Sequence, residues 1–319
     1  MKIKKQQINS LNAYSIFDMK YIEINQIIPF DIFIKKEQNY VIIIETGSII
    51  NNSLYNKLKK QDSLYIYNKD IHKQILDSKS LKDYIEVNMS NPEKSLSLLY
   101  TVNEKVFDDY LKSIENHIDI KSIELIVLSI IHLIKYDEHI VKNTMPYFLN
   151  KYDIANHSLH VAIYAVKLGN LINLSESQLL TIGIAALLHD VGYKKIDKDI
   201  LDKTDIHCDN DTKEIHKHVR YSVEIVKHNN INNPDIINAI MSHHERYDGS
   251  GYPNSLYENE ISDFASILAI CDVFDALTNL RPHRKQLSSF EALKMMIKDS
   301  QMTNKFNQNY LNMALKSLQ

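Results

Sequence analysis

Residues 243–253 read HHERYDGSGYP: the adjacent histidines His243 and His244 run into Asp248, Gly249, Gly251, Tyr252 and Pro253. Two glycines and a proline within five residues force a sharp loop, in a chain of 319 residues that holds only six of each. Average usage of roughly 7% glycine would supply several times as many. The apolar run from Ile236 to Met241 predicts a helix that ends where the histidines begin. Adjacent imidazoles at a helix end, set against a rigid loop, predict a site.

Elsewhere the same pattern recurs. Ile184 to Leu188 is another apolar helical run, and it ends in His189-Asp190. Alone, that dipeptide reads as a histidine at a helix end beside an acid. Asp272, however, interrupts the apolar helix predicted from Ile267 to Leu277, where a buried carboxylate costs several kcal/mol unless it is paired or metal-bound. Further helices are predicted over Asn156–Leu171 and Phe290–Ile297, so residues from Asp153 to Leu318 read as all-α with polar interruptions at helix ends. Imidazole together with carboxylate is the ligand set of iron, manganese, zinc or nickel. Histidine-bearing helices and one buried aspartate therefore predict a metal site.

The first 80 residues have a different period. Phe30–Ile34, Tyr40–Ile44 and Leu64–Tyr67 are short β-branched or aromatic runs followed by turn residues, with Leu54 and Leu58 marking a short helix between two of them. They predict a small α+β domain over 1–80, with a sensory or regulatory role. From Ser95 apolar residues recur at three or four, and Ile123 to Lys135 is apolar nearly all round. Such a helix is central to a core or lies at a subunit contact; residues 81–140 are taken as a helical linker that could pair in a homodimer. The chain as a whole is expected to be mainly α.

Composition excludes several classes. A formal charge of -3 argues against a DNA or RNA polymer as partner. The longest apolar stretch, Leu125 to Ile134, contains Ser129 and His132 and is too short to span a membrane. Two cysteines, Cys208 and Cys271, and no signal-peptide pattern at the first residues predict a cytoplasmic protein.

The order His157, His189-Asp190, His218, His243-His244 and Asp272, with HHERYDGSGYP and the later DVFDALTNLRPHR, resembles the HD-GYP domains of the HD phosphohydrolase superfamily. The resemblance covers about Asp153 to Met296 and implies an all-α HD-domain helical bundle over 141–319. It implies that His157, His189, Asp190, His218, His243, His244 and Asp272 are metal ligands, with Asp190 bridging two divalent ions, iron or manganese. Some members hold a third ion through a glutamate four residues before the first histidine. Asp153 stands there, one methylene shorter, on the same helix face as His157 if both are helical, so two ions or three both stay open. The implied reaction is hydrolysis of cyclic di-GMP to pGpG or GMP by a hydroxide held between the metals.

Arg281 and Arg284 fall where the family grips substrate phosphates, a task suited to guanidinium forks. The GYP loop shapes the site in that family and is also linked to signalling-protein partners. Three departures stand out. Tyr193 occupies the place of a lysine that contacts substrate; Lys194 lies one position later, and whether it substitutes depends on local geometry. Ser222 replaces a glycine, and His283 a tyrosine. His216 lies two residues from His218 and is expected to face elsewhere. The rival readings are a cyclic di-GMP receptor without useful turnover and a phosphohydrolase for another nucleotide, including a hybrid cyclic dinucleotide.

Overall fold

The computed structural model describes residues 14–67 apart from 18, 20, 21, 23, 26, 27, 29 and 38, then 92–137, 153–201, 203, 208–279, 285–299 and 302–318. These residues are mainly α-helical with one small sheet, and they fall into two units. The first runs to Val102 apart from 92 and 93; the second takes those two and Asn103 onward.

In the first unit, β1 (Tyr14–Phe17), β2 (Ile32–Lys36), β3 (Asn39–Ile44) and β4 (Leu64–Tyr67) form an antiparallel sheet of order β1-β4-β2-β3. Alternation sets the faces: Leu64 and Ile66 are buried while Tyr65 and Tyr67 are half-exposed. Phe17, Ile32, Phe33 and Ile44 complete the apolar interior with Leu58 of α1 (Asn52–Leu58), whose start is capped by the Asn51 side chain accepting from the Leu54 N–H. The sequence predicts β2, β3, β4 and α1; it misses β1. Tyr14 stacks on Tyr40 and Tyr67 there, with ring centroids 3.9 and 4.9 Å apart.

Helix α2 (Pro92–Lys112) contributes to each unit. The second unit continues with α3 (Ile120–Tyr136), α4 (Ile154–Leu171), α5 (Glu176–Leu188), a 3-10 turn (Val191–Lys195), α6 (Lys198–Leu201), α7 (Asp209–His216) and α8 (His218–His228). It closes with α9 (Pro234–Ser242), α10 (Asp263–Thr278), α11 (Ser289–Lys298) and α12 (Gln308–Ser317). Helix starts follow local chemistry: Ser175 with Gln178 and Ser288 with Glu291 form capping boxes, and Asn233 caps α9 just before Pro234.

One expectation is corrected here. Helix α3, placed by sequence in a linker over 81–140, is a core element of the second unit and packs on α4 and α5. Ile123, Ile126 and Val127 have no exposed surface, which accounts for a helix that is apolar nearly all round. Among the described residues, no helix is long and apolar enough to cross a membrane.

Candidate metal centre

Helix ends carry most of the site. His189 and His243 are the C-caps of α5 and α9, and His218 follows the end of α7 by two residues. Carbonyls in the last turn of a helix lack helical partners. Each of these histidines uses one: Nδ1 of His189, His218 and His243 lies 2.7, 2.8 and 2.7 Å from the carbonyl three residues earlier, of Ala186, Ile215 and Ile240. A carbonyl only accepts, so Nδ1 donates and the lone pair is left on Nε2.

All three Nε2 atoms point at Asp190. Its Oδ1 lies 3.3 Å from His218 Nε2 and 3.6 Å from His243 Nε2; its Oδ2 lies 3.3 Å from His189 Nε2 and 3.5 Å from His157 Nε2. The carboxylate thus stands between two groups of ligand atoms, each group within 4.8 Å: Asp190, His218, His243 and His244 in one, His157, His189 and Asp272 in the other. The structure brings together the seven residues that the motifs single out.

A cation fits them. Nε2 of His189, His218 and His243 and Oδ1 of Asp190 are buried atoms with no hydrogen-bond partner, an arrangement that costs about 1–3 kcal/mol per atom. These lone-pair donors fall in both ligand groups, and such nitrogen and oxygen donors satisfy divalent ions. Protonation states divide: burial lowers His157 and His189, but the facing carboxylates override it and raise both imidazoles, whereas the remaining shifts favour ligand forms. Burial pushes Asp190 up, but His189, His157 and His218 outweigh it and hold the carboxyl well below its usual range. Burial likewise raises Asp272, and His157 and His244 override it. Burial, joined by His243, pushes the His244 imidazole well below its ordinary value. Ionised carboxylates and neutral imidazoles are the ligand forms that metals require.

His157 is oriented differently. It sits in the first turn of α4, 3% exposed, and its Nδ1 meets Asp275 Oδ2 at 2.7 Å. The other Asp275 oxygen lies 3.0 Å from His160 Nδ1, which is also 3.3 Å from Asn279 Nδ2. Burial pushes Asp275 up, yet His160 and His157 hold it at about 2. Sequence reading missed Asp275 and His160, although each lies one turn beyond a recognised ligand, Asp272 and His157.

The loop at 243–253 is pinned from below. Glu245, 1% exposed, accepts the N–H groups of Asn254 at 2.7 Å and Leu256 at 3.0 Å; this residue too was not singled out by sequence. Gly249 adopts φ +75°, in the region glycine tolerates, and Asp248 accepts from the N–H and hydroxyl of Ser250. At Gly251 a Cβ would collide with the backbone of His244, Glu245 and Arg246. The loop delivers Tyr252, joined to Pro253 by a cis peptide, so that its ring stacks on His244 and on His216 with centroids 4.7 and 3.6 Å apart. His216 lies outside both ligand groups.

Other predicted residues go elsewhere. Asp153 is the N-cap of α4, not a residue of its first turn: its two oxygens accept from the Asn156 N–H at 2.9 Å and side-chain amide at 3.0 Å, and it belongs to neither ligand group. Lys194 does not reach the cluster; its Nζ donates to the carbonyls of Tyr110 and Ser113, both at 2.6 Å, at the end of α2. Tyr193 instead lies against the site, stacked on His218 with centroids 4.2 Å apart and planes 10° apart. Ser222 Oγ accepts the Gly192 N–H at 2.8 Å and so has a job that glycine could not do. Arg281, His283 and Arg284 lie outside the described residues.

Residues 123–306, more than half of the chain, match the HD domain family. Over 140 residues the chain is 31% identical to a cyclic di-GMP phosphodiesterase of Pseudomonas aeruginosa, covering 44% of this chain and 34% of that protein. Over 129 residues it is 39% identical to a 3'3'-cGAMP-specific phosphodiesterase of Vibrio cholerae, covering 40% of this chain and 25% of that one. The chain thus spans about a third or less of the length of these curated relatives. A solved structure from Bdellovibrio bacteriovorus, Bd1817, described as a HDG"Y"P protein, is 16% identical with a TM-score of 0.61, over 95% of this chain and 98% of that one; it shares the fold. With an HD match that begins in α3, and a loop of the DGSGYP type seated on its paired histidines, the chain belongs to the HD domain family as an HD-GYP domain protein.

Proposed function

We propose that this protein is a metal-dependent phosphodiesterase that hydrolyses cyclic di-GMP to pGpG and/or GMP. The observation that carries the reading is Asp190, whose two oxygens face two separate groups of imidazoles at 3.3 to 3.6 Å. His218, His243 and His244 would hold one divalent ion and His157, His189 and Asp272 a second, iron or manganese, with Asp190 shared. When bound, such ions lower the pKa of water toward ~7 and stabilise charge on phosphoryl oxygens.

The chain's own residues supply placement. Backbone carbonyls and Asp275 fix the ring planes, the buried rear of the cluster keeps bulk water from the ligands, and the DGSGYP loop sets Tyr252 over His244. Arg281 and Arg284 are assigned to the substrate phosphates by their place in the family pattern. Residues from Asn103 onward, α3 included, would form the hydrolase, with residues 1–80 regulatory, in a cytoplasmic protein; a signalling partner at the GYP loop and a homodimer are parts of this proposal. Asp153 caps α4 and belongs to neither ligand group, so the count we propose is two.

The test is turnover of cyclic di-GMP by the full chain loaded anaerobically with Fe2+ or Mn2+, with products separated by chromatography. Formation of pGpG is the expected result; intact substrate beside an active control enzyme ends the proposal. The 3'3'-cGAMP relative makes that dinucleotide the first alternative in a substrate panel. One observation favours a second reading, a receptor that binds without useful turnover: a tyrosine stacked on His218 fills the family's lysine position, and Lys194 is turned to α2. Binding with no product separates the two.

A further inference from the structure

Of the four imidazoles that face Asp190, three are set by main-chain carbonyls and one by a side chain. His189, His218 and His243 find spare carbonyls at helix ends. His157 lies inside α4, where the preceding carbonyls belong to the helix ladder. Asp275 replaces them from α10, one turn after Asp272. The same ring therefore has Asp275 Oδ2 at 2.7 Å from Nδ1 and Asp272 Oδ1 at 3.4 Å from Nε2. Asp275 has no exposed surface, and both of its oxygens are engaged, one by His157 and one by His160.

We infer that Asp275 is the positioning residue for the metal held at His157, and that it makes the two metal positions chemically unequal. A carboxylate partner fixes the tautomer and ring orientation of a metal-binding histidine and makes it a stronger donor than an amide carbonyl does. The position with His157, His189 and Asp272 has such a partner. In the position with Asp190, His218, His243 and His244, His218 and His243 are backed by carbonyls alone. The inference rests on the metal site of the proposed function but not on its substrate.

The experiment is a calorimetric titration of Mn2+ into chelator-stripped full-length protein, wild type beside Asp275→Asn and His160→Gln. Loss of an outer partner costs about 10–100-fold in metal affinity. The expected result is two classes of site in wild type, one of them weakened about 10–100-fold in Asp275→Asn, and neither weakened in His160→Gln. Unchanged affinities in Asp275→Asn, or equal weakening of both classes, overturn the inference. So does an equal loss in His160→Gln, which would give Asp275 a packing role only. If Asp275→Asn does not fold, NMR of Zn2+-loaded wild type still decides: the His157 ring should carry a protected Nδ1 proton, and coordination through Nδ1 refutes the assignment. Protein that binds two ions but leaves every cyclic dinucleotide intact removes the proposed function and leaves this inference in place.

Discussion

The first unit fills its interior with Ile32, Phe33, Leu64 and Ile66, whereas the second gathers five imidazoles and two carboxylates, all but His244 buried, in one cluster. Each apolar side chain of the sheet gains about 1.5–3 kcal/mol by burial and needs nothing further. The cluster instead leaves buried acceptors on His189, His218, His243 and Asp190 without partners, and each costs about 1–3 kcal/mol until something satisfies it. One interior is complete as folded; the other is completed by a ligand. The largest effect should come from removing the group shared by both halves of the cluster. Lewis-acid stabilisation of several kcal/mol corresponds to roughly 10³-fold in rate at 1.36 kcal/mol per tenfold. Asp190→Asn should therefore lower cyclic dinucleotide hydrolysis on the order of 10³-fold, with hydrogen exchange in β2 and β4 unchanged. A variant that retains rate, or that loosens the sheet as much as the cluster, breaks the comparison.

Metal removal tests the same contrast without mutation. Ligand at 100 times its dissociation constant contributes about 2.7 kcal/mol of stability. At 2–4 °C per kcal/mol for a domain of this size, chelation should lower the melting temperature of the second unit by roughly 5–10 °C. Exchange should rise in α4, α5 and α9 and hold steady in β2 and β4. Equal softening of both units would show that the sheet also depends on the metal.

The two interiors were not equally legible from sequence. Strands β2, β3 and β4 declared themselves through short β-branched or aromatic runs and turn residues, and the ligands through pairs of polar residues closing apolar helices. What stayed hidden is directional. Asp275 lies in a helix whose acid at 272 already had a role, and only the rotation of α10 against α4 shows that it meets the rear of His157. Glu245 reads as part of a polar run until the loop folds back and places two N–H groups on its carboxylate. Lys194 depended on local geometry in the literal sense: residues 191–195 form a 3-10 turn, with about three residues per turn, and the ammonium is carried to the end of α2. Side-chain direction across elements is set by packing, which periodicity does not report.

Glu245 sharpens the contrast on a smaller scale, because it is a buried charge satisfied wholly by protein. Hydrogen bonds to charged groups are worth about 1.5–3 kcal/mol. In Glu245→Gln the amide nitrogen can no longer accept, so one of the N–H groups of Asn254 and Leu256 is left unmatched. The expected cost is about 2 kcal/mol, seen as a lower melting temperature that added Mn2+ does not restore and as faster exchange at those two amides. Full rescue by metal would place Glu245 with the incomplete part of the site.

Tyr193 gives the smallest effect and joins the two kinds of packing, since its ring lies flat on a metal-facing imidazole. An aromatic pair adds about 0.5–1.5 kcal/mol beyond area burial, so Tyr193→Ala should weaken metal binding at the His218 position by roughly 2–10-fold. Tyr193→Phe keeps the ring and should bind metal as wild type does. Tyr193→Lys removes the stack but puts an ammonium where the family pattern carries a lysine, so under the proposed function its two readouts should part: metal affinity falls as in Tyr193→Ala, while the KM for cyclic di-GMP drops. If metal affinity is the same in all three variants, the stack on His218 is packing alone, and Tyr193 acts on the substrate side of the site.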